Sequence, residues 1–324
     1  MTRTAEIGVC WSDKLGHAMI YDLTDVNRRK PLFARRPLKN DEYLVTAEQV
    51  DTFQHDGYVI LPQITTEEDL SEIRVIYDRL FAERNGWNEG DFFDYVGTDE
   101  IGKEAALPQM LYLSKYAPKL RRTRFWANAQ VASRQILGSD ARYIFDHGIR
   151  KPPRVGAATS WHQDRAYSPR NSPPSMVTVW LALEDVSIDM RCMHYIPGSH
   201  RGPLYEHRSV GGDDRIHGLE ALGIDTSRAL AHPVAAGTAI LHHSGTLHYA
   251  GPNTSDRVRR AYAVAFCTGT AEDQSVQKEH SWNEGRQTAR LERQLAFLEA
   301  REKTISHLLK RHIKHLLQVL GVRV

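Results

Sequence analysis

From about residue 142 the apolar residues come in short runs cut by proline and glycine, and this pattern limits the fold more than any other feature of the chain. Tyr143-Ile144-Phe145, Met176 to Leu183, Thr238 to His243 and Ala261 to Phe266 are runs of strand length. Pro152-Pro153, Pro173-Pro174, Pro197-Gly198 and Gly251-Pro252 punctuate them. Many short strands with such turns predict an antiparallel sandwich or barrel. A double-sheet jelly roll of the cupin kind is the natural choice, because its interior can hold a small site. The expected fold class is therefore mainly β with flanking helices.

Within that region stands Trp161-His162-Gln163-Asp164. Residues two apart on an extended chain point to the same side, so His162 and Asp164 project into one cavity. Two imidazoles and one carboxylate on one face of a metal leave the opposite positions open, a set suited to non-haem Fe(II). The second imidazole must arrive through the fold. His242, His243 and His248 are the distal choices, with His248 preferred because it stands just before a turn. His194 and His200 read better as hydrogen-bonded structural histidines.

Four segments, in order, resemble the phytanoyl-CoA dioxygenase (PhyH) family of Fe(II)/2-oxoglutarate oxygenases. They are Phe53-Gln54-His55-Asp56-Gly57-Tyr58-Val59-Ile60-Leu61-Pro62, the Trp161 to Asp164 motif, Tyr195-Ile196-Pro197-Gly198-Ser199-His200, and His248 to Asn253 followed by Ser255 to Tyr262. The resemblance covers roughly residues 50 to 270, and four segments in order are far more specific than one HxD. It departs at Met190-Arg191-Cys192, where the family usually has Asn-Gly.

The resemblance implies a double-stranded β-helix and selects His248, ahead of His243, as the distal ligand beside His162 and Asp164. It implies Fe(II), with 2-oxoglutarate and O2 as cosubstrates and succinate and CO2 as products. A keto-acid cosubstrate needs a cation for its far carboxylate, and a guanidinium offers a bidentate partner. Arg257, Arg259 and Arg260 are available, and the family's spacing from the distal histidine selects Arg259. Trp180 is placed beside the cosubstrate by the same resemblance, and Lys151 is a further candidate pocket cation. Hydroxylation of an unactivated C–H is the default outcome, because related halogenases lack the carboxylate that Asp164 supplies.

Arg165, Arg170, Arg201 and Arg208 lie near the metal motif or the following turn, and together predict a cationic mouth for a small anionic substrate. The rival reading is a cupin-like metal-binding or sensor protein without turnover, which would need no Arg259.

The remainder bounds the setting. A formal charge of +2 gives no reason to expect nucleic acid, and no apolar run is long enough to span a bilayer. Three cysteines, widely spaced, form no disulfide framework, and a cytoplasmic location is the simplest expectation. Residues 1–45 are expected to form an irregular arm with basic pairs at Arg28-Arg29-Lys30 and Arg35-Arg36. Residues 46–285 form the oxygenase domain with its N-terminal helices. Residues 206 to 232 read as an insertion, a lid over the mouth. Thr66 is placed to cap a helix carrying Leu70, Ile73, Ile76, Tyr77 and Leu80, and a second helix fits 117 to 137. Residues 286–324 form a helical extension whose leucine stripe, from Leu291 to Leu320, packs within the chain or makes a homodimer.

Overall fold

The computed structural model describes residues 7–11, 18–22, 43–100, 102–154, 157–168, 175–269 and 285–319, with side chains described from 43 to 304 within those spans. The N-terminal arm, expected to be irregular, carries a two-stranded hairpin of β1 (Ile7–Trp11) and β2 (Ala18–Asp22). Its basic pairs lie outside the described residues.

The domain proper begins with α1 (Ala47–Asp56), which Thr46 and Gln49 close with a reciprocal capping box. Gly57 ends it at φ 82, a left-handed position; a Cβ there would also meet the His200 ring at 2.3 Å. The chain runs on into β3 (Tyr58–Leu61) and α2 (Glu67–Ala82), which Thr66 caps as the sequence predicts. β4 (Phe92–Asp94) and β5 (Pro108–Leu111) follow. The helix expected over 117 to 137 is divided instead. A short α3 (Leu113–Tyr116) and a 3-10 turn, Pro118–Arg122, precede α4 (Arg124–Leu137). The break lies at Thr123, which is extended and whose hydroxyl accepts from Trp126 N–H, so that it starts a new helix.

The strands then come in succession: β6 (Arg142–Lys151), β7 (Thr159–His162), β8 (Ser175–Ala182), β9 (Met193–Tyr195), β10 (His207–Ser209), β11 (Leu219–Ala221), β12 (Leu230–His232), β13 (Ala239–His243), β14 (His248–Ala250) and β15 (Arg259–Thr268). A seven-stranded sheet runs in the order β3-β13-β8-β15-β6-β5-β4, and a four-stranded sheet in the order β12-β9-β14-β7. All pairings are antiparallel. This is the jelly roll expected from the strand pattern, in the double-stranded β-helix form that the family resemblance implies.

The large sheet is buried on both faces, which is why β8 reads as an unbroken apolar run. Val177, Val179, Leu181, Tyr262, Val264 and Phe266 pack outward against Leu70, Ile73, Tyr77, Leu80, Phe125 and Ala129 of α2 and α4. Gly148 admits this layer: a Cβ there would lie 2.8 Å from the Tyr77 ring and 2.9 Å from the Phe81 ring. The alternate residues of the same strands, Trp180, Ala182, Ile240, Ala261 and Ala263, face the small sheet. The site lies between the two sheets.

Residues 206–232 are built into the walls and form no free lid. β10 and β11 make a hairpin, β12 is the edge strand of the small sheet, and Gly218 N–H bonds to Tyr95 O at 2.8 Å. At the departure from the family pattern, Arg191 takes φ 57 without being glycine, between Met190 and Cys192, which are fully buried.

The C-terminal extension is one helix, α5 (Ala289–Val319). Its N-terminal turns dock on the chain through arginines, whereas Leu295 and Leu298 of the apolar stripe are exposed. The stripe from Ile305 onward lies outside the described side chains. Arg290 Nε bonds to Gly90 O, and Arg293 donates to Trp87 O, Phe92 O and, at 2.6 Å, to Asp99 Oδ2. The Arg293 guanidinium also stacks 3.8 Å over Trp87. Asp99 is only 3% exposed in its side chain, so removing its partner leaves a buried carboxylate unpaired. Arg293→Ala is therefore expected to destabilise the protein by about 3 kcal/mol in urea unfolding. A loss below about 0.5 kcal/mol would show that the docking is incidental.

Candidate active site

β7 and β14 are neighbours in the small sheet, and His162 pairs directly with His248 across them. Their rings lie 4.1 Å apart. β7 ends at His162; Gln163 stays extended at φ −116, ψ 128, and Asp164 opens a 3-10 turn. The two-residue spacing thus works across a strand end, with Gln163 carrying the alternation. His162, Asp164 and His248 offer ligand atoms that all lie within 4.8 Å of one another, and they form the one such group of three among the described residues. His243 is turned elsewhere: its Nδ1 accepts from Gly245 N–H at 3.0 Å and its ring faces Phe53 and His200.

The donor set fits a divalent metal in detail. His162 Nδ1 lies 2.7 Å from Ser160 O and His248 Nδ1 lies 2.9 Å from Thr246 O. A carbonyl can only accept, so each Nδ1 carries the proton and each Nε2 keeps its lone pair for the centre. Asp164 is oriented just as firmly. Its Oδ2 accepts from Thr178 Oγ1 at 2.8 Å and from His242 Nε2 at 3.2 Å. Its Oδ1 is turned toward His162 Nε2 at 3.6 Å and His248 Nε2 at 3.5 Å. Burial works against the charge on Asp164, but the surrounding imidazoles hold its carboxyl well below the usual range. Burial, then His162, holds the His248 imidazole well below its ordinary value and keeps it neutral.

Gln163, fully buried between the two ligands, locks the motif in place. Its side chain donates to Gly245 O at 2.8 Å and Pro203 O at 3.1 Å, and accepts from Tyr205 N at 2.9 Å. His207 accepts its backbone N–H at 3.2 Å. On the other side, Tyr195 OH lies 3.1 Å from His242 Nδ1, completing a chain from the small sheet through His242 to Asp164.

Arg259, 2% exposed, lies on the inner face of the large sheet. Its guanidinium carbon sits 5.1 Å from the Trp180 ring centre, and burial brings its pKa down to about 10, so it stays charged at neutral pH. Among the described residues, neither its Nε nor its Nη2 has a hydrogen-bond partner, and the same is true of Trp180 Nε1. Buried polar atoms are rarely left so, and a charged guanidinium aimed into an interior suits a carboxylate. Arg260 faces the opposite way, bonded to Glu184 and Asp78. Arg257 is exposed, with Nη2 3.2 Å from Met190 Sδ.

Lys151 has a different task from the one expected. It is fully buried, but Nζ donates to Ala157 O at 2.6 Å and to Ala250 O and Gly251 O at 3.0 Å each. Burial and the nearby Arg259 push its pKa well down, yet three acceptors require all three N–H groups. Lys151 ties the segment after His248 to β6 and has no donor left for a cosubstrate.

The four-arginine mouth does not form as expected. Arg201 Nη1 bonds to Gln54 O and His55 O at the end of α1. Arg208 Nε pairs with Glu220 at 2.7 Å. Arg170 lies outside the described residues. Arg165, next to Asp164 in the chain, keeps a buried Nη2 without a partner among the described residues. Sequence reasoning passed over Thr178 and Tyr195 and left His242 open. Thr178 and His242 occupy inward-facing positions on strands it had identified, which was the available signal.

Five buried histidines titrate low, each chiefly through burial: His147, His207 and His243 at about 4, His217 and His248 well below the usual value. In the unfolded chain they bind protons near pH 6.5. The native state therefore binds fewer protons between about pH 4 and 6.5, and stability is lost as pH falls through that window. Each group contributes at most about 1.4 kcal/mol per pH unit. Asp99, Asp146 and Glu184, raised by burial, oppose this in smaller number. The urea midpoint of metal-free protein is expected to drop from pH 7 to 5; a flat or rising midpoint would contradict the assignment.

Comparison with known proteins identifies the family. The family model described as Phytanoyl-CoA dioxygenase (PhyH) matches residues 53–261. A probable alpha-ketoglutarate-dependent hypophosphite dioxygenase of Stutzerimonas stutzeri is 34% identical over 144 residues, 43% of this chain and 49% of that protein, so the match spans about half its length. The peroxisomal phytanoyl-CoA dioxygenase of Mus musculus is 24% identical, over 70% of this chain and 69% of that one. The crystal structure of EvdO2 from Micromonospora carbonacea var. aurantiaca, complexed with 2-oxoglutarate, superposes with a TM-score of 0.59 at 31% identity, covering 73% of this chain and 98% of that one.

Proposed function

The chain belongs to the phytanoyl-CoA dioxygenase family of Fe(II)- and 2-oxoglutarate-dependent dioxygenases, and we propose that within that chemistry it hydroxylates an unactivated C–H of a small anionic molecule. The observation that carries this reading is the pairing of the His162–Asp164–His248 group with the buried guanidinium of Arg259 on the facing sheet, whose Nε and Nη2 have no partner among the described residues. A sensor or storage cupin has no use for such an arginine. Bound Fe(II) would supply the redox chemistry that couples oxidative decarboxylation of 2-oxoglutarate to oxidation of the substrate.

The chain's own residues hold and orient. His162 and His248 present Nε2 and Asp164 presents Oδ1, while Thr178 and His242 keep the second carboxylate oxygen from swinging. Arg259 neutralises the far carboxylate of 2-oxoglutarate, and Trp180 packs along it. The retained Asp164 leaves no ligand position for halide, which favours hydroxylation.

Arg165 supports an anionic substrate: it follows Asp164 directly and keeps a buried Nη2 with no partner among the described residues. The relative named for hypophosphite, itself an anion, points the same way. The test is a screen of small anions for succinate release with Fe(II) and 2-oxoglutarate, followed by mass analysis under 18O2. One labelled oxygen per product is the expected result; an unlabelled cyclised or desaturated product would overturn hydroxylation. With the substrate found, Arg165→Gln should raise its KM by roughly tenfold or more, as expected for loss of a charge-assisted bond. An unchanged KM would remove Arg165 from the substrate site.

A further inference from the structure

The C-terminal extension reaches the metal group through the segment before β11. Both α5 and the residues leading into it lie after residue 261, beyond the family match. Three successive carbonyls of the segment accept from this extension. Ala289 N–H bonds to Arg215 O at 2.9 Å, Arg286 Nη2 bonds to Ile216 O, and Arg286 Nη1 bonds to His217 O at 3.2 Å. The Arg215 side chain returns the contact, with Nη2 3.3 Å from Glu292. A planar guanidinium that spans two neighbouring carbonyls fixes their direction as well as their place.

The held segment is the outer layer of an aromatic stack that ends on a metal ligand. His217 meets the Phe93 ring edge-on at 4.7 Å and lies 5.5 Å from the Tyr167 ring. Burial, then Arg290 and Arg286, holds its imidazole well below the ordinary value, so it packs as a neutral ring. Gly218 lets the segment close, because a Cβ there would lie 2.8 Å from the Tyr95 ring. Leu219 N–H donates to Tyr167 OH at 2.7 Å, and Tyr167 OH lies 2.5 Å from Tyr95 OH. Tyr167 stands in the 3-10 turn that Asp164 opens. Its ring meets the His162 imidazole edge-on at 5.9 Å, and the Tyr95 ring lies 6.3 Å from the same imidazole. The two hydroxyls are engaged in this network, so the pair offers apolar ring surface beside His162.

We propose that Arg286 is a positioning residue for the prime-substrate side of the site, acting through His217 on the Tyr167–Tyr95 wall beside His162. This rests on the reading of the triad as an Fe(II)/2-oxoglutarate centre. Close-packed side chains pass a displacement along, because the layer has little free volume in which to absorb it. Without Arg286 the segment loses two of its three donors from the extension. The His217 ring then loosens from Tyr167, and water reaches the metal group beside His162. Arg259 and Trp180, on the facing sheet, are untouched. A wall of ring surface takes the apolar body of a substrate and keeps its C–H dry, while the anionic end is held elsewhere.

The experiment is electron paramagnetic resonance of the full chain loaded anaerobically with Fe(II) and 2-oxoglutarate, with nitric oxide added as a probe of the open metal position. Metal affinity, 2-oxoglutarate affinity and Tm are measured beside it. Arg286→Ala is expected to change the nitrosyl spectrum while both affinities stay within about threefold of wild type, since neither set of binding groups is touched. Tyr167→Leu is expected to change the spectrum in the same way. The double variant should match the single ones, because residues that act through one wall do not add. Arg286→Lys, which keeps a donor for the carbonyls, should move the spectrum back toward wild type. Arg293→Ala loosens α5 at Trp87, Phe92 and Asp99 instead, and is expected to leave the spectrum unchanged. A wild-type spectrum in Arg286→Ala overturns the inference, and so does an equal change in Arg293→Ala. If Arg286→Ala proves unfolded, Arg286→Gln serves in its place on the same criteria. Failure of wild type itself to bind 2-oxoglutarate sinks the underlying reading, a result distinct from these.

Discussion

His248→Ala is expected to fold, to lose metal binding by more than a hundredfold and to show no succinate release above background, whereas His243→Ala keeps both. The reasoning is local. His248 Nε2 faces the Asp164 Oδ1 and His162 Nε2 pair, while its Nδ1 is fixed by Thr246 O at 2.9 Å. Loss of an outer partner of a ligand typically costs 10–100-fold in metal affinity, and loss of a ligand itself costs more. His243 lies next to His242 in sequence but on the other side of β13, bonded to Gly245 N–H. Metal titration of the two variants separates them. If His243→Ala loses the metal and His248→Ala retains it, the assigned centre is wrong.

Arg259→Ala is expected to raise the KM for 2-oxoglutarate by between about thirtyfold and several thousandfold, the range that follows from losing 2–5 kcal/mol with one partner of a buried charge pair. The position is 2% exposed, so water cannot replace the guanidinium at the far carboxylate. Arg257→Ala supplies the contrast. It is exposed and its neighbour is the sulfur of Met190 at 3.2 Å, so its removal should leave the KM within about twofold. Steady-state succinate assays over a 2-oxoglutarate series decide between them. A large effect at Arg257 with none at Arg259 would transfer the role.

Much of the site could be read in the sequence because its signals are local. The spacing of His162 and Asp164 needs only an extended Gln163 between them, and the backbone there is extended even though the strand has ended. The distal turn after His248, the Tyr195 to His200 turn and the Arg259 position are short motifs whose order alone identifies the family. Strand length and turn chemistry likewise carried the jelly roll, because period-2 burial and proline-glycine breaks are properties of neighbouring residues.

What the sequence left open depends on who faces whom across strands far apart in the chain. A lysine before Pro152-Pro153 reads as a pocket cation, and only the approach of the Ala157, Ala250 and Gly251 carbonyls shows that its donors are spent. Arg201 and Arg208 read as a cationic mouth until the end of α1 and Glu220 engage them. A long charged side chain can reach many partners, and its choice is set by packing rather than spacing. The same holds for the tail, whose leucines drew attention while its arginines made the contacts. Thus the chain's sequence by itself determined the strand pattern and pointed to His162, Asp164, His248 and Arg259 as candidates. The tertiary structure decided the direction of each orienting hydrogen bond and the retirement of Lys151. Those features arise from inter-strand register, which sets side-chain faces across the sheet and is fixed only when both sheets have closed over their shared core.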